Sequence, residues 1–161
     1  METKTRIFLL IVMVYFFSES GNAQGFRGIV PLESNCGDIK RVFNVEKCSF
    51  PVSVFFLEEL SIDVHFYSEK PEDRRKCYRV PSGTVTALSI TFNKKMPIKD
   101  FGYDLKFSEV IVNDIETVVY ENAALGVSAY VHDGLVTDAF FIPTVEQRRK
   151  FGIPCEVKAS H

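Results

Sequence analysis

A chain of 161 residues with 19 basic and 21 acidic side chains carries a formal charge of −2. That balance argues against a nucleic-acid partner, whose phosphates call for a basic excess. Fifteen Phe, no Trp and four Cys point to a core of Phe and β-branched side chains, in a chain of a length that suits one domain.

Residues 1–23 have the layout of a secretory signal. Lys4 and Arg6 precede an unbroken apolar run at 7–17, and a small, polar stretch follows it. Gly21 and Ala23 supply the small side chains that a peptidase needs at −3 and −1 of a cleavage after Ala23. The apolar run has 11 residues, whereas a spanning helix needs about 20. The expectation is an exported protein, periplasmic or extracellular, consisting of residues 24–161 as a single domain without a transmembrane anchor after cleavage.

In chain order, 24–27 reads as a mobile lead-in and 28–32 as an edge strand or an extended approach to a helix, with Pro31 near its end. Ser34 is the expected N-cap. Asp38 places negative charge where the helix dipole favours it. Ile39, Val42 and Phe43 form an apolar stripe, and Asn44 suits a left-handed terminus. So short a helix needs something to pack on.

The remainder is strand-rich. Runs at 52–57 and 60–67 flank Glu58-Glu59 as a hairpin, and Ile62, Val64 and Phe66 alternate with Asp63, His65 and Tyr67. Residues 68–83 read as a loop. A strand follows at 84–92 with Leu88, Ile90 and Phe92 inward. The stretch 94–116 is ambiguous, with 107–112 open to strand or helix. Further strands fall at 117–120, 126–132 and 135–142, the last two joined by Asp133-Gly134, whose residues suit a type I′ turn. Residues 145–151 form a terminal helical turn. The fold class is therefore α+β: a short N-terminal helix on an antiparallel meander of about five to six strands.

Four cysteines in an oxidising compartment predict two disulfides with three possible connectivities. The spacing permits Cys36–Cys48 across the helix together with Cys77–Cys155. Cys36 lies in a helix's first turn, where a thiol is activated, but a base is not brought to it by any local motif, and a staple is the stronger expectation. Clustered ligand spacings for zinc are missing. Glu58, Glu59 and Asp63 read as solvated charges rather than a glycosidase pair. Two basic triplets, Arg74-Arg75-Lys76 and Arg148-Arg149-Lys150, would converge on an anion or partner patch if Cys77 and Cys155 are joined. Phosphate-loop, nucleophile-elbow, zincin and EF-hand patterns do not occur, so neither a catalytic residue nor a cofactor is expected.

The run Arg27-Gly28-Ile29-Val30-Pro31-Leu32, then Ser34 and Asp38-Ile39-Lys40-Arg41, resembles the opening R-G-I-x-P-L-x-S-T-R-x-D-V-x-R-L-L-G of an uncharacterised family of small exported bacterial proteins. Tyr67-Ser68, Val80-Pro81 before Thr84-Val85, Ser89-Ile90, and Val119-Tyr120 before Gly126-Val127 extend the likeness. The chain departs from the pattern at Asn35-Cys36 and at Val42-Phe43-Asn44. The resemblance implies export and a shared fold, without an activity to carry over. A capped helix followed by a meander is also similar to the BamE type of outer-membrane assembly lipoprotein and to the β-lactamase-inhibitor fold, both of which bind other proteins. The lipidated cysteine of the former has no counterpart here. The expected function is a non-enzymatic binding or envelope-associated module with an exported or envelope protein as partner. A small hydrolase using Asp63 or His65 on the sheet is the alternative.

Overall fold

A computed structural model describes residues 25–68, 78–112 and 116–152. Among them, seven strands form one antiparallel sheet accompanied by two helices. Helix α1 (Cys36–Phe43) precedes β1 (Val52–Phe56), β2 (Leu60–Phe66) and β3 (Val85–Pro97). A 3-10 turn at Ile98–Asp100 leads to β4 (Lys106–Val112), β5 (Glu116–Asn122), β6 (Val127–His132) and β7 (Leu135–Phe141), and α2 (Val145–Phe151) follows.

The sheet order is β1-β2-β3-β7-β6-β5-β4. This corrects the expected simple meander of five to six strands. The first three strands run from one edge to the middle, the chain crosses to the far edge, and four more strands return until β7 pairs with β3. The ambiguous segment at 107–112 is a strand because β5 supplies its ladder, with Phe107 opposite Tyr120. Isolated periodicity could not reveal that partner.

One face of the sheet is dry. Ile62, Val64, Leu88, Ile90, Ala129, Val136, Ala139 and Phe141 are buried on it, and Ile39 and Phe43 of α1 complete the core. The stripe expected on α1 is thus the face that packs. Its cap is Asn35 rather than Ser34: the Asn35 side chain accepts the Gly37 N–H at 2.7 Å, and Asp38 accepts the Asn35 N–H at 3.0 Å. Ser34 is held one residue earlier, where its hydroxyl accepts the Val30 N–H at 2.9 Å. Asn44 ends the helix in the left-handed region as expected.

The opposite face is more polar and carries Ser61, Asp63, His65, Ser89, Thr91 and Asp138, which share its register positions. Thr91 Oγ1 donates to Asp138 Oδ1 at 2.7 Å across β3 and β7. The Asp133-Gly134 turn has both residues at positive φ, the type I′ geometry that matches strand twist.

Two expectations for the N-terminal segment are corrected. Residues 28–32 form no strand: Gly28 and Pro31-Leu32 lie in turns, and Ile29 makes an isolated bridge to Phe26. Within the expected lead-in at 24–27, the described residues 25–27 are not loose, because Phe26 is buried and bridges Ile29. Arg27 and Gly28 lie between them, both at positive φ, so a tight turn drives Phe26 into the core. Its ring lies 6.4 Å from Phe43, 6.4 Å from Phe92 and 5.7 Å from Phe141. Contacts of Phe92 with Phe101, Phe101 with Tyr103 and Tyr103 with Phe141 close the circuit. Most of these contacts are tilted or edge-to-face, arrangements favoured by the ring quadrupoles.

A candidate functional site beneath the Phe26 turn

A cleft of about 290 Å³ opens where this turn meets the β1–β2 turn and the far half of β3, lined by Phe26, Arg27, Glu59, Leu60, Phe92, Lys94, Lys95 and Met96. Three separate segments build it. Phe26, Leu60 and Phe92 are buried and Met96 is half-buried, so they make an apolar floor.

The rim is charged. Arg27 sits at the tip of its turn, 5.3 Å from the Phe26 ring centroid, and its guanidinium donates to Glu59 Oε2 at 3.2 Å. Both partners are well exposed, so the ion pair orients side chains more than it stabilises the fold. Lys94 and Lys95 fall where the β3–β7 register shifts between Thr91 and Met96. The irregularity adds residues to one strand, and such places re-aim side chains. Main-chain bonds secure this geometry: the N–H groups of Asn93 and Lys94 donate to the Glu59 carbonyl, at 2.9 and 3.3 Å. The Asn93 amide also donates to the Leu57 carbonyl at 3.2 Å. Three cationic residues and one carboxylate, the last paired with Arg27, therefore line a cleft with an apolar floor. That arrangement suits a ligand joining an anionic group to an apolar one.

The residues singled out from sequence fare differently. Cys36 and Cys48 are disulfide-bonded, with Cα atoms 6.1 Å apart, so Cys36 is a staple. Cys77, Cys155 and the triplet Arg74, Arg75 and Lys76 lie outside the described residues. Arg148, Arg149 and Lys150 occupy the last turn of α2, where cations complement the dipole. Lys150 Nζ lies 4.8 Å from the Phe151 ring centroid. Tyr78 bridges Gly152, and the Arg79 N–H donates to the Phe151 carbonyl at 2.6 Å. The residues directly after Cys77 therefore meet the end of α2. Burial raises the Tyr78 phenol above its ordinary pKa, and the Arg148 charge partly opposes this.

Asp63 and His65 share the outer face of β2 at positions i and i+2. His132 Nε2 approaches Asp133 Oδ2 at 3.2 Å at the tip of the last hairpin. This is a contact between sequence neighbours. Among the described residues, no group of three His, Cys, Asp or Glu side chains is placed to hold a metal ion, and no helix is long and apolar enough to cross a membrane.

Sequence reasoning missed the cleft. Its one local signal was the pair Arg27-Gly28 after an aromatic residue, a turn composition that aims Phe26 inward. Glu59 read correctly as a turn residue, but its partner lies 32 positions earlier. No protein-family profile, curated protein or solved structure matches the chain.

Proposed function

We propose that this chain is an exported, non-enzymatic binding module whose cleft takes an acidic and apolar segment of another exported or envelope protein. The observation that carries the reading is the rim of Arg27, Lys94 and Lys95 over the floor of Phe26, Leu60, Phe92 and Met96. On a chain with a net charge of −2, a local cationic excess beside an apolar pocket selects partners by charge and anchors them by burial. The Cys36–Cys48 disulfide supports the exported setting, because such bonds persist in oxidising compartments.

Placing a photo-reactive side chain at Met96 in the exporting host tests this. The expected result is a saturable cross-link to one exported or envelope protein, abolished by Lys94→Glu with Lys95→Glu. An adduct that does not saturate, or that survives the charge reversal, would overturn the reading.

A further inference from the structure

The two edges of the sheet are built differently. On the β4 edge, Lys106 and Glu109 are charged and the register breaks between Phe107 and Glu109, devices that discourage strand addition. The β1 edge has neither. Residues 48–57 contain no charged side chain, and the β1–β2 register is unbroken from Val52 opposite His65 to Phe56 opposite Ser61.

Main-chain directions on β1 follow from its flanking bonds. The Phe66 N–H donates to the Pro51 carbonyl at 2.8 Å, and the Leu57 N–H donates to the Leu60 carbonyl at 2.9 Å. Both pairs keep the β1–β2 register, so positions 51, 53, 55 and 57 turn their main-chain groups toward β2. In an antiparallel ladder the alternate residues face the other way. Val52, Val54 and Phe56 therefore direct N–H and C=O outward from the sheet. Their side chains are also the exposed ones, at 37, 50 and 84 %.

We propose that β1 pairs with β1 of a second copy of this chain, antiparallel, about a two-fold axis through Val54. In this register Val54 faces Val54, and Val52 faces Phe56 in both directions. Every outward N–H of the three residues then meets an outward C=O of the other copy. Each Phe56 ring covers a Val52 of the other copy, a pairing of aromatic with β-branched side chain that stabilises sheets.

Charge favours this occupant and this direction. Self-pairing normally sets like charges against each other, but β1 has none to oppose. Glu58-Glu59 follow the strand and Glu46-Lys47 precede it. Antiparallel pairing keeps Glu58-Glu59 of the two copies at opposite ends of the joint, whereas parallel pairing would place them side by side. The joined sheet would have 14 strands, with only the guarded β4 edges left open.

Sedimentation velocity of the oxidised protein over a wide concentration range tests the proposal, alongside amide exchange at residues 52–56. The expected result is a reversible dimer in which the amides of Val52, Val54 and Phe56 gain protection with concentration while those of Ser53 and Phe55 are protected throughout. Val54→Lys would place two lysines on the axis and is expected to abolish the dimer while keeping the thermal midpoint. A protein monomeric at every concentration overturns the proposal. So does a dimer without concentration-dependent protection at these three amides, or one that a folded Val54→Lys variant retains.

Discussion

The side-chain amide of Gln147 donates to the main-chain carbonyl of Pro31 at 2.8 Å, across 116 positions of the chain. Gln147 is buried, at 5 % exposure. Its amide nitrogen also reaches Glu33 Oε1 at 3.1 Å, while its carbonyl accepts the Thr144 N–H at 2.9 Å in the capping box of α2. A single side chain thus caps the last helix and fastens it to the turn preceding the first. Replacing it by Ala leaves the Pro31 carbonyl and the Thr144 N–H without these partners. The expected cost is about 1–3 kcal/mol, measured as a lower urea midpoint with an unchanged slope.

Phe26 and Arg27 are neighbours with opposite roles. Phe26→Ala removes a ring that touches Phe43, Phe92 and Phe141 and should cost about 3–5 kcal/mol. Arg27→Ala removes an exposed ion pair and should change stability by about 1 kcal/mol or less. Urea unfolding of both variants separates the core role from the rim role. If the opening segment were a loose lead-in, the two substitutions would have equally small effects.

Cys36 and Cys48 are separated by 12 positions. Replacing both by Ser should cost about 3 kcal/mol through the freed unfolded chain. Peptide mapping of the non-reduced protein is expected to recover this bond together with Cys77 joined to Cys155, since Tyr78 and Gly152 are bridged. A bond from Cys77 to either of the first two cysteines would contradict both statements.

Gly126 sits at φ +67, and a Cβ there would collide with the Ile142 carbonyl, which belongs to the residue whose N–H donates to the Gly126 carbonyl at 2.8 Å. Gly126→Ala should cost about 2–3 kcal/mol. At Gly134, with φ +74 and open space around the added carbon, the same change should cost only about 1 kcal/mol. Thermal melts of the two variants distinguish close packing from conformational strain alone.

Burial raises the Tyr103 phenol above its ordinary pKa of 10.0, and its hydroxyl donates to the Gly25 carbonyl at 3.3 Å. The fold favours the neutral form. The stability gained is therefore complete below about pH 10 and is lost as pH rises through the elevated folded value. Tyr103→Phe should be slightly less stable at neutral pH but should decline less steeply on the alkaline side. Denaturant midpoints between pH 8 and 11 report the difference.

Much of the architecture can be read locally. Alternation at Ile62, Val64 and Phe66 marks β2, Asp133-Gly134 places the last hairpin, and Ile39, Val42 and Phe43 define the packing face of α1. Ser34 and Asn35 both have side chains able to cap, so local sequence does not choose between them. The choice depended on Ser34 being taken by Val30, a contact made by the turn before the helix. The site was far less legible. Arg27, Glu59 and Lys95 belong to three segments, and their shared cleft exists only once β2 has paired with β3 and the Phe26 turn has closed over both.

The amino-acid sequence alone determined the α+β class, the strand periods and the turn chemistry, because each depends on side chains within a few residues of one another. The tertiary structure decided the sheet order, the crossing from β3 to the far edge, the burial of Phe26 and the contrast between a guarded β4 and an open β1. These depend on which ladder and which apolar face remain unsatisfied after the local elements have formed. That question is settled by burial and hydrogen bonding across the whole chain.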